Sequence, residues 1–145
     1  MTTSPSNNKK TLSPTFINPV GLYDPRPNAY SHVAIADTPA RLIYIAGQGG
    51  ETEDGELSPD FARQVHQALR NLRIALNAAE ASVDKVVKLT LLIVDHSQEK
   101  LPIVSHQLKE IWGEYPLPAC TLIPVTRLAL DGMLFEIDAT AVVAR

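Results

Sequence analysis

The chain reads as an α+β protein: one mixed β-sheet with two helices on one of its faces. Three observations carry that reading. Segments of strand and helix pattern alternate along residues 15–145 in the order β-β-α-β-α-β-β. Only two segments have helical periodicity, too few to cover both faces of a sheet. The last strand has a clean apolar face (Phe135, Ile137, Ala139, Ala141, Val143) suited to those helices. With 145 residues, 45% hydrophobic and 20% charged, the chain can bury one core of ordinary size. Residues 15–145 are expected to form a single domain.

Residues 1–14 are rich in Ser, Thr, Asn, Lys and Pro, with Met1 and Leu12 as the apolar side chains. Such a segment buries too little to offset its ordering entropy, so a flexible tail is expected. Residues 15–31 hold three prolines and three aromatics, which suits an extended lead-in with turns. His32–Ala36 and Leu42–Gly47 read as strands around the turn Asp37-Thr38-Pro39-Ala40-Arg41. The second ends in Gly47-Gln48-Gly49-Gly50, where backbone can turn sharply or approach a ligand.

Ser58-Pro59-Asp60 looks like a helix start, with Ser58 as cap and Pro59 at the first position. Phe61, Val65, Leu69, Leu72 and Leu76 then recur at helical spacing, and the helix is expected to end near Ala81. Lys85–Asp95 is a strand with Val87, Leu89, Leu91 and Ile93 on one face and Lys88, Thr90, Leu92 and Val94 on the other. Ser97–Trp112 reads as the second helix, its helical part expected to begin near Leu101 so that Pro102 falls in the first turn. After Pro116-Leu117-Pro118, Ala119–Leu128 and Met133–Ala144 read as two strands of a hairpin turning at 129–132. The far face of the sheet carries apolar groups such as Leu92 and Val94 with no helix left to cover them. It is expected to pack on another copy of the chain.

Composition excludes several classes. The longest apolar run is far short of a membrane span. The first ten residues lack the apolar stretch of a secretory signal, so a cytoplasmic, reducing location is expected. The net charge of −3 and the absence of a basic run beyond Lys9-Lys10 argue against a nucleic-acid partner. A single cysteine, Cys120, excludes an intramolecular disulfide. The four histidines lack metal-ligand spacing, and no phosphate loop or hydrolase elbow is present.

Three positions stand out. Glu136 lies mid-strand on the uncovered face, where a carboxylate must be paired, hydrogen-bonded or functional. Cys120 opens a strand after a Pro-Ala step; a lone cysteine serves most often as a small buried hydrophobe and sometimes as a nucleophile. Tyr30 closes the proline-rich lead-in and either anchors packing or lines a pocket.

The sequence resembles the RidA/YjgF family, also called endoribonuclease L-PSP, over roughly residues 17–144. The residues that carry the resemblance are Ile17-Asn18-Pro19, Tyr30-Ser31, Ile45-Ala46-Gly47-Gln48, Phe61 with Gln64 through Asn71-Leu72, Val86-Val87-Lys88-Leu89-Thr90 and Asp95. The strongest blocks are Pro118-Ala119-Cys120-Thr121 through Val125 and Phe135-Glu136-Ile137 with Ala139. The resemblance implies a chorismate-mutase-like fold assembled as a homotrimer around a central barrel, with clefts between subunits. It also implies hydrolysis of enamines and imines, such as 2-aminoacrylate and 2-iminopropionate, to 2-keto acids and ammonia, with no metal or organic cofactor.

Carried over by position, Glu136 matches the Glu that positions water and Tyr30 the cleft Tyr. Gly47 and Gln48 match the strand end, with Ala46 where many relatives have Ser. Thr121 matches the small residue after the family's carboxylate-gripping Arg. Ser105, on the second helix, is grouped with Tyr30, Gly47, Gln48, Cys120 and Thr121 as substrate-binding. The Arg itself is replaced by Cys120, which cannot supply a charge-assisted fork. Arg127 could substitute only if a bulge near Pro124 reset the strand's phase. The favoured reading is a small-molecule hydrolase with Glu136 orienting water, whose substrate lacks a carboxylate at that spot. The alternatives are a non-catalytic ligand-binding trimer and, least favoured, a ribonuclease or translation inhibitor. Cys120 as a nucleophile would need His32, His66 or His106 within reach.

Overall fold

The computed structural model describes residues 13–145. Residues 1–12 of the expected tail lie outside them. The chain runs β1 (Thr15–Ile17), a one-turn 3-10 helix (Arg26–Asn28), β2 (Val33–Ile35), β3 (Arg41–Gly49), α1 (Phe61–Ala78), a second such turn (Val83–Lys85), β4 (Val86–Val94), α2 (Lys100–Trp112), β5 (Ala119–Val125) and β6 (Phe135–Val143). The α+β class and its two helices stand as expected. Strand β1 is an addition: it pairs antiparallel with β2 in a small separate sheet.

The main sheet has the order β3-β6-β4-β5. Strand β6 is antiparallel to both β3 and β4, whereas β5 runs parallel to β4. The expected hairpin of the last two strands is therefore wrong. Turn residues at 129–132 suggested one, but β6 inserts between β3 and β4 and leaves β5 at the edge. Its inner position gives β6 two neighbours and buries Phe135, Ile137, Ala139, Ala141 and Val143. The strands are also shorter than expected: β5 ends at Val125 and β6 begins at Phe135.

Helix α1 lays Phe61, Val65, Ala68, Leu69, Leu72 and Leu76 on this sheet face, and α2 adds Val104, Leu108 and Trp112. The start of α1 differs from expectation. Asp60 is the cap, its carboxylate accepting from Arg63 N at 3.0 Å, while Ser58 Oγ accepts from Asp60 N at 3.1 Å. The helix ends at Ala78, not Ala81, because the backbone turns through Glu80 at φ 59°. In β4 a register shift between Val86 and Lys88 turns Val86, not Val87, into the core. One extra residue at a bulge reverses the inward phase of what precedes it.

Across the opposite sheet face, Leu42, Tyr44 and Ile123 are exposed, Tyr44 by 74%. Among the described residues no helix is long and apolar enough to cross a membrane.

Candidate functional site

Glu136 stands at the centre of the main sheet, opposite Gly49 on β3 and Leu92 on β4, on the face away from the helices. Strand β3 is irregular between Ile45 and Gln48, which brings Gly47 under the Glu136 side chain. A Cβ on Gly47 would lie 2.7 Å from Glu136 Cδ, so only glycine leaves room for the carboxylate. Burial holds the Glu136 carboxyl above its ordinary range, and the negative charges of Glu51 and Asp138 push the same way. No salt bridge reaches it among the described residues.

The strand end beneath it is pinned from α1. Gln64, fully buried, donates to Ser58 O at 2.7 Å and Gly132 O at 2.8 Å and accepts from Leu134 N at 2.8 Å. Asn71 donates to Gly49 O at 3.0 Å and Glu51 O at 2.8 Å. One helix thus holds the end of β3 and the approach to β6, the strand that carries Glu136. Gly50 packs against Gln64 so closely that a Cβ would sit 2.7 Å from its Cα.

Cys120 belongs to a second group. It pairs with Leu89 on β4, so its side chain faces the helices. The lead-in extends the edge beside it: Ser31 N donates to Pro118 O at 2.9 Å and Ser31 bridges to Ala119. That contact sets Tyr30 next to Cys120. Tyr30, Cys120, Thr121 and Ser105 line one cavity of about 420 Å³, with Tyr23 and His96. The Tyr30 hydroxyl bonds that of Tyr23, and both rings meet His32 edge-on. Burial and the Tyr23 contact push the Tyr30 hydroxyl up to about 12.

Burial likewise pushes the Cys120 thiol up to about 12, against the opposing pull of Lys88. Lys88 itself lies on the other sheet face and donates to Thr121 Oγ1 at 2.6 Å. Ala29 (φ 61°) and Asp95 (φ 51°), each in the left-handed region, immediately precede Tyr30 and His96. Such a turn costs about 1 kcal/mol in a non-glycine residue. Lys100 Nζ supports the second by donating to Val94 O at 2.9 Å and Asp95 O at 2.7 Å. The His96 Nδ1 atom is buried and has no hydrogen-bond partner.

Known proteins give this geometry a context. The sequence profile described as Endoribonuclease L-PSP matches residues 24–143. The chain belongs to this family. It is 36% identical over 100 residues to the RutC family protein YjgH of Escherichia coli, covering 69% of this chain and 74% of that one. It is 35% identical over 119 residues to a rat (Rattus norvegicus) protein named 2-iminobutanoate/2-iminopropanoate deaminase, covering 79% and 80%. A crystal structure of the Rid-family protein YyfB from Yersinia pestis superposes with TM-score 0.85 at 33% identity, over 90% of this chain and 98% of that one. The RidA/YjgF resemblance is thereby confirmed.

Within one chain the family's site residues do not converge. Glu136 and Ile123 both pair with Leu92, two strands apart, and Cys120 lies three residues further along β5. At about 4.8 Å per strand and 3.3 Å per residue, Glu136 and Cys120 are about 14 Å apart, on opposite faces. Gly47 joins Glu136; Tyr30, Ser105, Cys120 and Thr121 share the cavity. Gln48 joins neither. It pairs with Ile137, and its amide turns back to donate to Ala46 O at 3.0 Å.

Arg127 does not replace the family Arg. The β4–β5 register is unbroken through Pro124, and Arg127 lies past the strand, its guanidinium on Asp131 at 2.9 Å. Of the histidines, it is His96, not His32, His66 or His106, that shares the cavity with Cys120. Sequence reasoning missed His96, Glu51 and the positioning roles of Gln64 and Asn71. The polar residues at α1 positions otherwise facing the core were the available signal for Gln64.

Proposed function

We propose that this chain hydrolyses small imines or enamines in a cleft formed between copies of itself, assembled as a homotrimer. The observation that carries the reading is the separation of its two half-sites. Glu136 with Gly47 opens onto a sheet face with exposed Leu42, Tyr44 and Ile123, while Tyr30, Ser105, Cys120 and Thr121 sit at the far edge. A contact of one copy's Glu136 face with the next copy's cavity edge is head-to-tail, and such a contact closes into a three-membered ring when successive copies are rotated by a third of a turn. The relatives named for imine deamination support the chemistry.

In that chemistry the Glu136 carboxylate accepts a proton from water as the water oxygen bonds to the imine carbon. That proton passes to nitrogen to give a carbinolamine, whose hydroxyl proton follows to nitrogen as the C–N bond breaks, and a carbonyl compound and ammonia leave. Burial and the charges of Glu51 and Asp138 make the Glu136 carboxylate a stronger proton acceptor than an ordinary one. Substrate and homotrimer complete the partners; neither nucleic acid nor a cofactor is invoked. Cys120 offers no cation, so turnover of carboxylate-bearing 2-aminoacrylate and 2-iminopropionate should be weak.

The same substitution favours one competing reading, a trimer that binds ligand without turning it over. Ketone or keto-acid release from imines by wild type, Glu136→Ala and Cys120→Arg decides between them. Release above background that Glu136→Ala abolishes supports the hydrolase. Release from no imine by either wild type or Cys120→Arg refutes it.

A further inference from the structure

Helix α1 carries charge of one sign only. Its 18 residues hold Arg63, Arg70 and Arg73 and no carboxylate, in a chain whose net charge is −3. No basic run shows along the sequence, because these residues are gathered by the turn of the helix. At about 100° per residue, Arg63, His66, Arg70 and Arg73 fall within an arc of about 80°, on the side away from the buried Val65, Leu72 and Leu76. The strip is about 15 Å long from Arg63 to Arg73. No salt bridge reaches its three guanidiniums among the described residues. Arg70 and Arg73, three residues apart and always charged, repel one another.

Helix α2 makes a groove of this strip. His66, Arg70 and Arg73 line one wall and Gln107, Glu110 and Ile111 the other, around about 360 Å³. Gln107 Nε2 donates across to Ala62 O at 3.0 Å, which ties the two helices together and sets the width. Ile74 also lines the groove and is 59% exposed, a large aliphatic side chain left in water. Carboxylates border the strip on both sides. Arg70 and Ile74 face a cleft holding Glu51, Glu53 and Asp54, and across the groove His106 engages Glu110 at 3.0 Å. The cations therefore form a band one helix wide. A nucleic-acid backbone laid along it would bring phosphates against those carboxylates. A small anion held between Arg70 and Arg73 would leave Arg63 unmatched and Ile74 in water. A helix with one carboxylate per turn fits both the length and the width, and an aliphatic row beside its acids covers Ile74 and Ile111.

We propose that the groove between α1 and α2 docks an acidic amphipathic helix of a partner protein, with its carboxylates on Arg63, Arg70 and Arg73 and its aliphatic row on Ile74 and Ile111. Neither Glu136 nor Cys120 takes part. The groove lies on the helical layer, opposite the sheet face assigned above to the trimer. Its cations are exposed, so they steer the partner and set its orientation, and the attraction weakens as salt rises.

The test is fluorescence anisotropy of the full-length protein with a labelled peptide of three repeats of Glu-Ile-Ala-Glu-Leu-Ala-Lys, whose helix sets a glutamate row beside an isoleucine and leucine row. Wild type should bind it at least tenfold more tightly than the same peptide with glutamine for glutamate. The double variant Arg70→Gln, Arg73→Gln should lose at least tenfold, with a urea midpoint no lower than that of wild type. Ile74→Ser should lose at least threefold. The double variant Arg70→Glu, Arg73→Glu should instead prefer the peptide carrying lysine for glutamate, a gain that misfolding cannot produce. Equal binding of the glutamate and glutamine peptides, binding of neither, or full affinity in Arg70→Gln, Arg73→Gln overturns the proposal. A single-stranded RNA of 12 nucleotides that binds more tightly than the glutamate peptide would assign the strip to nucleic acid. Complete displacement of the peptide by 1 mM pyrophosphate would assign it to a small phosphate. Either result overturns the proposal too. Each readout stands whether or not any imine is turned over.

Discussion

Gln64→Leu is the sharpest test of how Glu136 is positioned. Gln64 is a polar side chain fully buried in the apolar face of α1, with hydrogen bonds of 2.7, 2.8 and 2.8 Å to Ser58 O, Gly132 O and Leu134 N. Leucine is close in volume, so packing is nearly kept while three backbone groups lose their partner. Each such group costs about 1–3 kcal/mol when left buried and unpaired. Leucine's apolar surface returns about 1–2 kcal/mol. A net loss of about 3–4 kcal/mol is expected. Urea unfolding at fixed protein concentration measures it, and with a slope of about 2 kcal/mol/M the midpoint should fall by nearly 2 M. His66→Leu, on the exposed side of the same helix, is the control and should shift stability by under about 0.5 kcal/mol. A Gln64→Leu loss below about 1 kcal/mol would mean that water or a local shift satisfies those groups. The claim that α1 fixes the entry to β6, the strand that carries Glu136, would then fail.

Gly47→Ala should fold but cut imine turnover at least tenfold, because the new methyl would displace the Glu136 carboxylate; unchanged kinetics would show that the carboxylate adapts. Glu136 is held above 4.5 by burial first and then by Glu51 and Asp138. The acid limb of kcat/KM should therefore lie above pH 4.5 and move to lower pH in Glu51→Gln and Asp138→Asn; a limb that stays put in both variants would exclude their charges as a cause. The same raised pKa means the folded state holds its proton longer than the unfolded chain. Glu136 should therefore lower stability as pH rises from about 4.5 through its folded value, and urea midpoints of wild type and Glu136→Gln should diverge over that window. The Cys120 thiol, moved from 9.0 to about 12, should react with iodoacetamide at pH 7.5 about a thousandfold more slowly than an ordinary thiol, and rapid labelling of native protein would contradict its burial. Tyr44→Asp, on the open sheet face, should reduce the assembly seen by light scattering to a monomer with unchanged circular dichroism; a persistent trimer would place the interface elsewhere.

Both helices and the inward face of β6 were legible in the sequence because each rests on local periodicity, and Glu136 stood out there as a charge out of place in an apolar strand. Phe61, Val65, Leu69, Leu72 and Leu76 announce a helix wherever they are read. The loss of the family Arg at Cys120 was equally visible, since it needs only a position in a motif. The partners of the strands were not legible. Residues 129–132 have the chemistry of a turn, but whether two strands pair depends on which neighbour buries more surface, and β6 gains more between β3 and β4 than beside β5. The bulges that bring Gly47 beneath Glu136 and turn Val86 inward are set by register against a partner strand, which a single strand's pattern does not contain. That His96 lines the cavity beside Cys120 was set by three-dimensional packing. Sequence by itself determined the elements and the chemical departure; the tertiary structure decided which side chains meet, because contacts between residues far apart in the chain follow from packing and not from spacing.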